Sequence, residues 1–441
     1  MKRSSVLKSG IVLGAASLAL AACGGSSSSE TSASASPAAA KFNLADTVIS
    51  DVPLPPAAAN APGAPATAAA GDGQLKIGTL LPQTGSLAFL GPPEFAAAEL
   101  AVQQINAAGG VNGAPVELIN GDSGDTSTNV ASQTVDRLIS QGVDAIVGAA
   151  SSSVTLSVID KVTGANVIMV SPANTSIKLS DYPDNGLYYR TAPPDTLQGK
   201  VLGDLALENG KTTMCILALQ DAYGEGLANV VEETFTSGGG QVSEKIIYDP
   251  KAASFEAEVG QCKAANVDSI TLIGFDESKK ILQELIKQGI GPQNTQLYLV
   301  DGNLSNTLAE DLPEGTLDGV RGTTPGSAPS EEFRQQLLTV NSGLVDFTYA
   351  AETYDAVNLI ALAAIQAQND SGTAIAQNIV SVSGGNSAGA DCTDFAGCKT
   401  LLEQGQAINY EGQSGPINLA ANGDPSKAAM GVYVFGPATT S

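Results

Sequence analysis

The chain has 441 residues, 43% hydrophobic and 15% charged, which is a globular composition with room for more than one domain. Asp and Glu outnumber Lys and Arg 45 to 21, a formal net charge of −24, so a grip on nucleic-acid phosphates or an anionic membrane face is not expected. Histidine and tryptophan are absent; this removes Ser-His-Asp and Cys-His catalysis and His-ligated metals together, leaving Asp, Glu, Lys, Tyr and Cys as candidate catalytic groups.

In chain order, residues 1–22 read as a lipoprotein signal peptide. Lys2, Arg3 and Lys8 precede an apolar run over 11–22 that is too short to span a bilayer comfortably. The run ends Leu20-Ala21-Ala22-Cys23-Gly24, which resembles a bacterial lipobox, with Cys23 as the lipidation site. An ordinary signal peptide with an incidental Cys is the alternative. Cleavage before Cys23 removes three basic residues and no acid, taking the net charge from −24 to −27. Residues 23–73 read as a flexible Ser/Ala/Pro tether; within it, 42–49 has the composition to order locally. No later stretch is long and apolar enough for a membrane span. The body is therefore expected to be exported and lipid-anchored on the outer face of the bacterial cell membrane.

From 75 the sequence alternates strand and helix. Strands are predicted over 75–81, 114–120, 144–148 and 167–170, and helices over 94–106 and 130–141. The pattern restarts with strands over 214–219, 242–248, 270–274 and 296–300, interleaved with helices over 226–235, 255–265 and 279–288. Repeated β-α order predicts parallel sheets flanked by helices, and two such runs predict two α/β lobes. A helix over 350–367, a Gly/Ser/Asn-rich interruption over 381–389 and a strand over 432–435 complete the chain.

The four cysteines beyond Cys23 are Cys215, Cys262, Cys392 and Cys398. In an exported protein an even count suggests disulfides. Cys392 and Cys398 are close in sequence and favour one small loop, which leaves Cys215 with Cys262; two buried thiols are the alternative for that second pair. A metal site is not supported, since there is no CxxC and no His.

Open α/β sheets bind ligands beyond the carboxyl ends of their strands, near helix N-termini. Two polar turns fall there: Ser151-Ser152-Ser153 after strand 144–148, and Ser171-Pro172-Ala173-Asn174-Thr175 after strand 167–170. Their hydroxyls and free N–H groups suit a carboxylate, and equally suit plain helix capping. Enzyme motifs fail. There is no P-loop and no GxGxxG after a strand. Gly385-Asn386-Ser387-Ala388-Gly389 spells GxSxG but sits in a flexible stretch without a His partner. Residues 301–305 begin like a calcium loop and lack its later ligands. No catalytic residue, metal or cofactor is expected; a lipid-anchored hydrolase using Ser387 is the remaining enzymatic alternative.

From Leu75 onward the chain resembles the solute-binding proteins of branched-chain amino-acid ABC importers, the leucine/isoleucine/valine-binding family. The matching stretches are IGTLLPQTG from Ile77, INAAGGVNGAPVEL from Ile105, VGAASSS from Val147, SPANTS from Ser171, YGEG from Tyr223, TYDAV from Thr353 and SGPI from Ser414. The likeness weakens over 376–413. It implies a type I periplasmic-binding-protein fold with three hinge crossings near 192–194, 323–325 and 424–425. Lobe 1 would be 74–193 plus 325–424, and lobe 2 would be 194–322 plus 426–441. It also implies a ligand site. Ser152 would hold the ligand carboxylate, helped by the backbone of Ala173 and by Thr175. Tyr223 and Phe275 would close from the opposite lobe. Asp301 would pair the ammonium, while Leu90 and Tyr349 would border the side-chain pocket. Asp301 stands where Glu is common, Phe275 where Tyr is familiar, and Leu90 where an aromatic can stand. The resemblance thus implies a receptor, expected to be monomeric, that passes a small aliphatic amino acid to an ABC transporter permease. A same-fold receptor for an amide, a urea-like compound or an aromatic acid, in import or signalling, is the alternative.

Overall fold

The computed structural model describes residues 41–53, 67–310, 312–385 and 389–436. The predicted signal peptide, Cys23, part of the tether and Ser387 lie outside the described residues.

The first element is a strand inside the expected tether, β1 (Lys41–Asp51). Next come β2 (Lys76–Leu80), α1 (Gly91–Ala107), β3 (Glu117–Ile119), α2 (Val130–Ser140), β4 (Ala145–Gly148), α3 (Ser152–Gly164), β5 (Ile168–Ser171) and β6 (Tyr188–Arg190). Their strands form a five-stranded parallel sheet in the order β3-β2-β4-β5-β6. The chain then passes through α4 (Asp195–Glu208), β7 (Thr213–Leu219), α5 (Gly224–Ser237), β8 (Gln241–Tyr248), α6 (Glu256–Ala265), β9 (Ser269–Ile273), α7 (Ser278–Lys287), β10 (Gln296–Leu299) and β11 (Arg321–Pro325). Strands β7 to β11 make the parallel part of a second sheet. The chain returns to the first lobe with α8 (Glu331–Val340), α9 (Ala350–Ala367), α10 (Gly372–Val382), β12 (Ala390–Cys392), α11 (Phe395–Glu403) and β13 (Ile408–Tyr410). It crosses back as β14 (Lys427–Gly436), antiparallel to both β11 and β1. The second sheet therefore has seven strands, β1-β14-β11-β10-β9-β7-β8.

The expected two α/β lobes are what the chain forms. β4, β5 and β9 are buried along their whole length, as strands are when helices cover both faces of a parallel sheet. Helix α9 is buried from Ala350 to Ile365. Its alanines pack in one core with Ala96–Ala98 and Ala101 of α1, small side chains that let the two helices approach closely. Both cysteine pairs are disulfides, Cys215–Cys262 and Cys392–Cys398.

The first difference from expectation is the extent of β1, a full sheet strand running through and beyond the 42–49 stretch expected to order locally. It pairs with β14 from Lys41↔Gly436 to Asp51↔Lys427, and Phe42 packs edge-on to Tyr433 at 5.2 Å. A register shift between Leu44 and Asp46 breaks the period-two alternation by which a strand is recognised; Leu44 and Ile49 are left exposed. The second difference follows from it. The chain passes between the two sheets four times: the extra passage runs from β1 on the second sheet to β2 on the first. Beyond it, Ala69 and Gly73 hydrogen-bond to Thr373 and Asp370.

The expected hinge segments fall between β6 and α4, within β11, and just before β14. Arg190, at the end of β6, pairs with Asp424 at 2.6 Å, with both side chains fully buried. The same guanidinium donates to the carbonyls of Asn174 and Ser176 and to the Ser180 hydroxyl. One buried cation thus ties a polar turn after β5 to two passages between lobes.

Candidate functional site

The turn after β4 and the turn after β5 are built by local hydrogen bonding. Ser151 is the N-cap of α3, its hydroxyl accepting from the Val154 N–H. Ser171 donates to the Ala149 carbonyl and accepts from the N–H groups of Ala173 and Asn174. Asn174 donates to the carbonyls of Ala149 and Ala150, and Tyr188 fixes the other end of its amide. The Ser152 hydroxyl accepts from the N–H groups of Thr175 and Ser176 at 3.3 and 3.2 Å. Capping therefore accounts for Ser151, whereas Ser152 faces the second turn with its own proton free to donate.

Across the cleft, Tyr223 precedes α5 and Asp301 follows β10. Tyr223 donates to Asp301 Oδ1 at 2.7 Å, and Tyr349, at the start of α9, donates to Oδ2 at 2.6 Å. Tyr223 and Phe275 stack with centroids 5.6 Å apart and planes 9° from parallel. Gly302 permits this closeness: a Cβ there would lie 2.7 Å from the Gly274 carbonyl and 3.0 Å from the Phe275 ring. Tyr349 has a left-handed backbone, φ 62°, a conformation that costs a non-glycine residue energy and recurs at binding sites.

Leu90, Ser152, Ala173, Thr175, Tyr223, Phe275, Asp301 and Tyr349 all line one cavity. Its volume is about 10 Å3, room for about one water; a larger molecule enters only when the walls part. Past Ser151 and Phe275 the cavity meets a wider cleft of about 1040 Å3. The lobes touch at its rim. Ser153 donates to Asp221 Oδ2 at 2.9 Å and Ser176 donates to the Ala222 carbonyl at 2.7 Å.

Burial pushes the Asp301 carboxyl above the usual carboxylate range, while the Tyr349 and Tyr223 hydroxyls pull it back. Sequence reasoning missed a second acid. Asp195, the first residue of α4, is fully buried, with the Thr175 side chain as its hydrogen-bonding neighbour. Burial first, and the charge of Asp301 second, hold its pKa well above normal. Only the acid at a helix start after Pro193-Pro194 hinted at it, and that position ordinarily signals a helix dipole.

A family model described as periplasmic binding protein matches residues 74–409. The chain belongs to the periplasmic binding protein family. A chemotactic signal transduction system substrate-binding protein from Halobacterium salinarum is 25% identical over 79% of this binding protein and 84% of its own length. A leucine-, isoleucine-, valine-, threonine- and alanine-binding protein from Pseudomonas aeruginosa is 30% identical over 54% and 66%. Two solved structures share the fold. The branched-chain amino acid transporter substrate binding protein LivJ from Streptococcus pneumoniae, in complex with isoleucine, superposes with TM-score 0.66 at 23% identity, covering 81% of this chain and 95% of that one. An ABC transporter solute binding protein from R. palustris, in complex with benzoate, gives 0.64 at 18% identity, covering 80% and 91%. The chain is thus a solute-binding receptor of this family, with its cavity where the two lobes meet. β1 lies outside the matched residues.

Proposed function

We propose that this receptor captures a small amino acid, aliphatic or branched-chain, between its lobes and delivers it to an ABC transporter permease. In this reading it is exported and held at the outer face of the cell membrane through Cys23. The observation that carries the reading is the pairing of unlike polarity across one cavity. Hydroxyl groups at Ser152 and Thr175 line the same cavity as the carboxyl of Asp301, with Asp195 behind. A zwitterion leaving water needs both its charges met, or burial costs several kcal/mol. Neutral donors on one wall and acids on the other meet them, and the apolar Leu90 and Phe275 offer surface to an aliphatic side chain once the walls part. The ligand favours the closed arrangement by its differential affinity for it. Binding and release need no chemical step.

Calorimetry on the full chain against leucine, isoleucine, valine, alanine and benzoate tests the reading. We expect saturable binding of an aliphatic amino acid, weakened about 100-fold in Asp301→Ala, because a ligand ammonium then loses its buried partner. A second reading has one observation in its favour: two tyrosine hydroxyls already satisfy Asp301, so an amine is not obligatory. Binding of benzoate alone, unchanged in Asp301→Ala, would favour that reading and remove the amino-acid assignment.

A further inference from the structure

Behind the ligand cavity lies a second one of about 350 Å3, where β11, β14 and the start of α9 meet, with Phe42 and Leu44 of β1 in its wall. Tyr349 belongs to both: its hydroxyl serves Asp301 in the first, and the residue lines the second. An acid and a guanidinium border this second cavity, each with a buried atom unpaired. Glu352 is 3% exposed and its Oε1 has no hydrogen-bond partner. Arg334 stacks over Phe347 at 5.4 Å, yet its Nε is buried and unbonded. Among the described residues no ion pair joins the two. Tyr433 feels the charge of both. The other carboxylate at the cavity, Asp346, is already engaged by Asn306. The backbone is shaped around Glu352: Gly326 has φ +83°, and a Cβ there would fall 1.7 Å from Oε1.

A buried acceptor and a buried donor left unmade are both costly, and one ligand carrying the complementary groups relieves both. We propose that this cavity is a second binding site, separate from the cleft, for a small zwitterion whose ammonium meets Glu352 and whose carboxylate meets Arg334. Its volume lies in the range of small-molecule sites. β1 forms part of its wall, so the N-terminal extension takes part in building it. Tyr349, shared by the two cavities, gives the sites a physical route to influence each other's affinity, which is reciprocal by linkage. The proposal does not depend on which ligand the cleft takes.

The test is NMR of the full chain carrying ring-13C tyrosine, titrated with glycine, and in parallel with methylamine and acetate. Tyr433 reports the second cavity and Tyr223 the cleft; each is assigned by its Phe variant. We expect the Tyr433 signal to move saturably with glycine, and more weakly with either half-molecule. Arg334→Met and Glu352→Gln should each weaken that response about tenfold, the effect of losing one charged hydrogen bond. Arg334 is partly exposed on α8, so its variant keeps the test valid if Glu352→Gln does not fold. A Tyr433 signal unmoved by glycine, or moved equally in Arg334→Met, would overturn the second site. A silent Tyr223 beside a responsive Tyr433 would count against glycine as a cleft ligand and leave the second site standing.

Discussion

Arg190 fixes the turn after β5 from outside the cavity that this turn lines. Its guanidinium bonds Asp424, two carbonyls of the turn after β5 and the Ser180 hydroxyl, all out of contact with water. A buried pair adds modest stability while intact, but removing one partner leaves an uncompensated charge. Asp424→Ala should therefore lower unfolding free energy by about 3–5 kcal/mol, seen as a fall in the urea midpoint. A change below about 1 kcal/mol would mean that water reaches the guanidinium. Ligand affinity should fall as well, because Arg190, which anchors the Asn174 and Ser176 carbonyls, loses the partner that fixes it. Tyr349→Phe acts differently: it removes one donor to Asp301 and should raise the Asp301 pKa further, weakening binding of an amine-bearing ligand at neutral pH.

At the scale of elements, β1 decides what the folded unit is. It closes the edge of the seven-stranded sheet on β14, and Val52 beyond it packs with Leu197, Ala428 and Met430. Uncovered, β14 would expose Phe435 and Tyr433 on an unpaired edge, which invites aggregation. Phe42→Ala should cost about 1–3 kcal/mol, less than a fully buried Phe because Phe42 is half-buried; thermal melting checks this. A protein trimmed to begin at residue 74 should melt lower than the full chain and aggregate sooner. The Cys215–Cys262 disulfide closes a loop with a sequence separation of 47, so Cys262→Ser should lower stability by about 4 kcal/mol.

Across the whole molecule the acids set the pH response. Burial raises Asp144 and Asp184 to about 7, Asp346 to about 6 and Glu352 to about 8. Glu94, buried beside Glu352 with both oxygens unpaired, is also raised well above normal. Each holds its proton more tightly folded than unfolded. Its stabilising contribution is whole below the ordinary carboxylate pKa and is lost as pH rises through the folded value. The ligand-free chain should melt at a higher temperature at pH 5.5 than at pH 8.5, and Glu352→Gln should shrink that difference. An equal or higher midpoint at pH 8.5 would show that these carboxyls are hydrated or paired. Asp122 and Asp268, held low by hydrogen bonds, oppose this trend only at more acid pH.

The β-α alternation, and with it the two lobes, was legible from residue order, because apolar runs bounded by glycine, proline and short polar turns are local signals. Spacing and count favoured the two cysteine pairings, and the structure decided between a disulfide and two buried thiols for Cys215 and Cys262. The helix α4 and the short β6 were not legible. α4 buries Asp195, Gln198, Gly199 and Gly203 along with its leucines, so no apolar stripe marks it. β1 was blurred by its bulge and its Ala/Pro-rich surroundings. No local pattern groups the eight residues from 90 to 349; the family resemblance named them, and the fold brings them to one cavity. Tertiary structure alone placed the buried Asp195 behind Thr175 and set Glu352 and Arg334 at a second cavity. Burial and pairing of charge depend on neighbours hundreds of residues away, which no window of sequence contains.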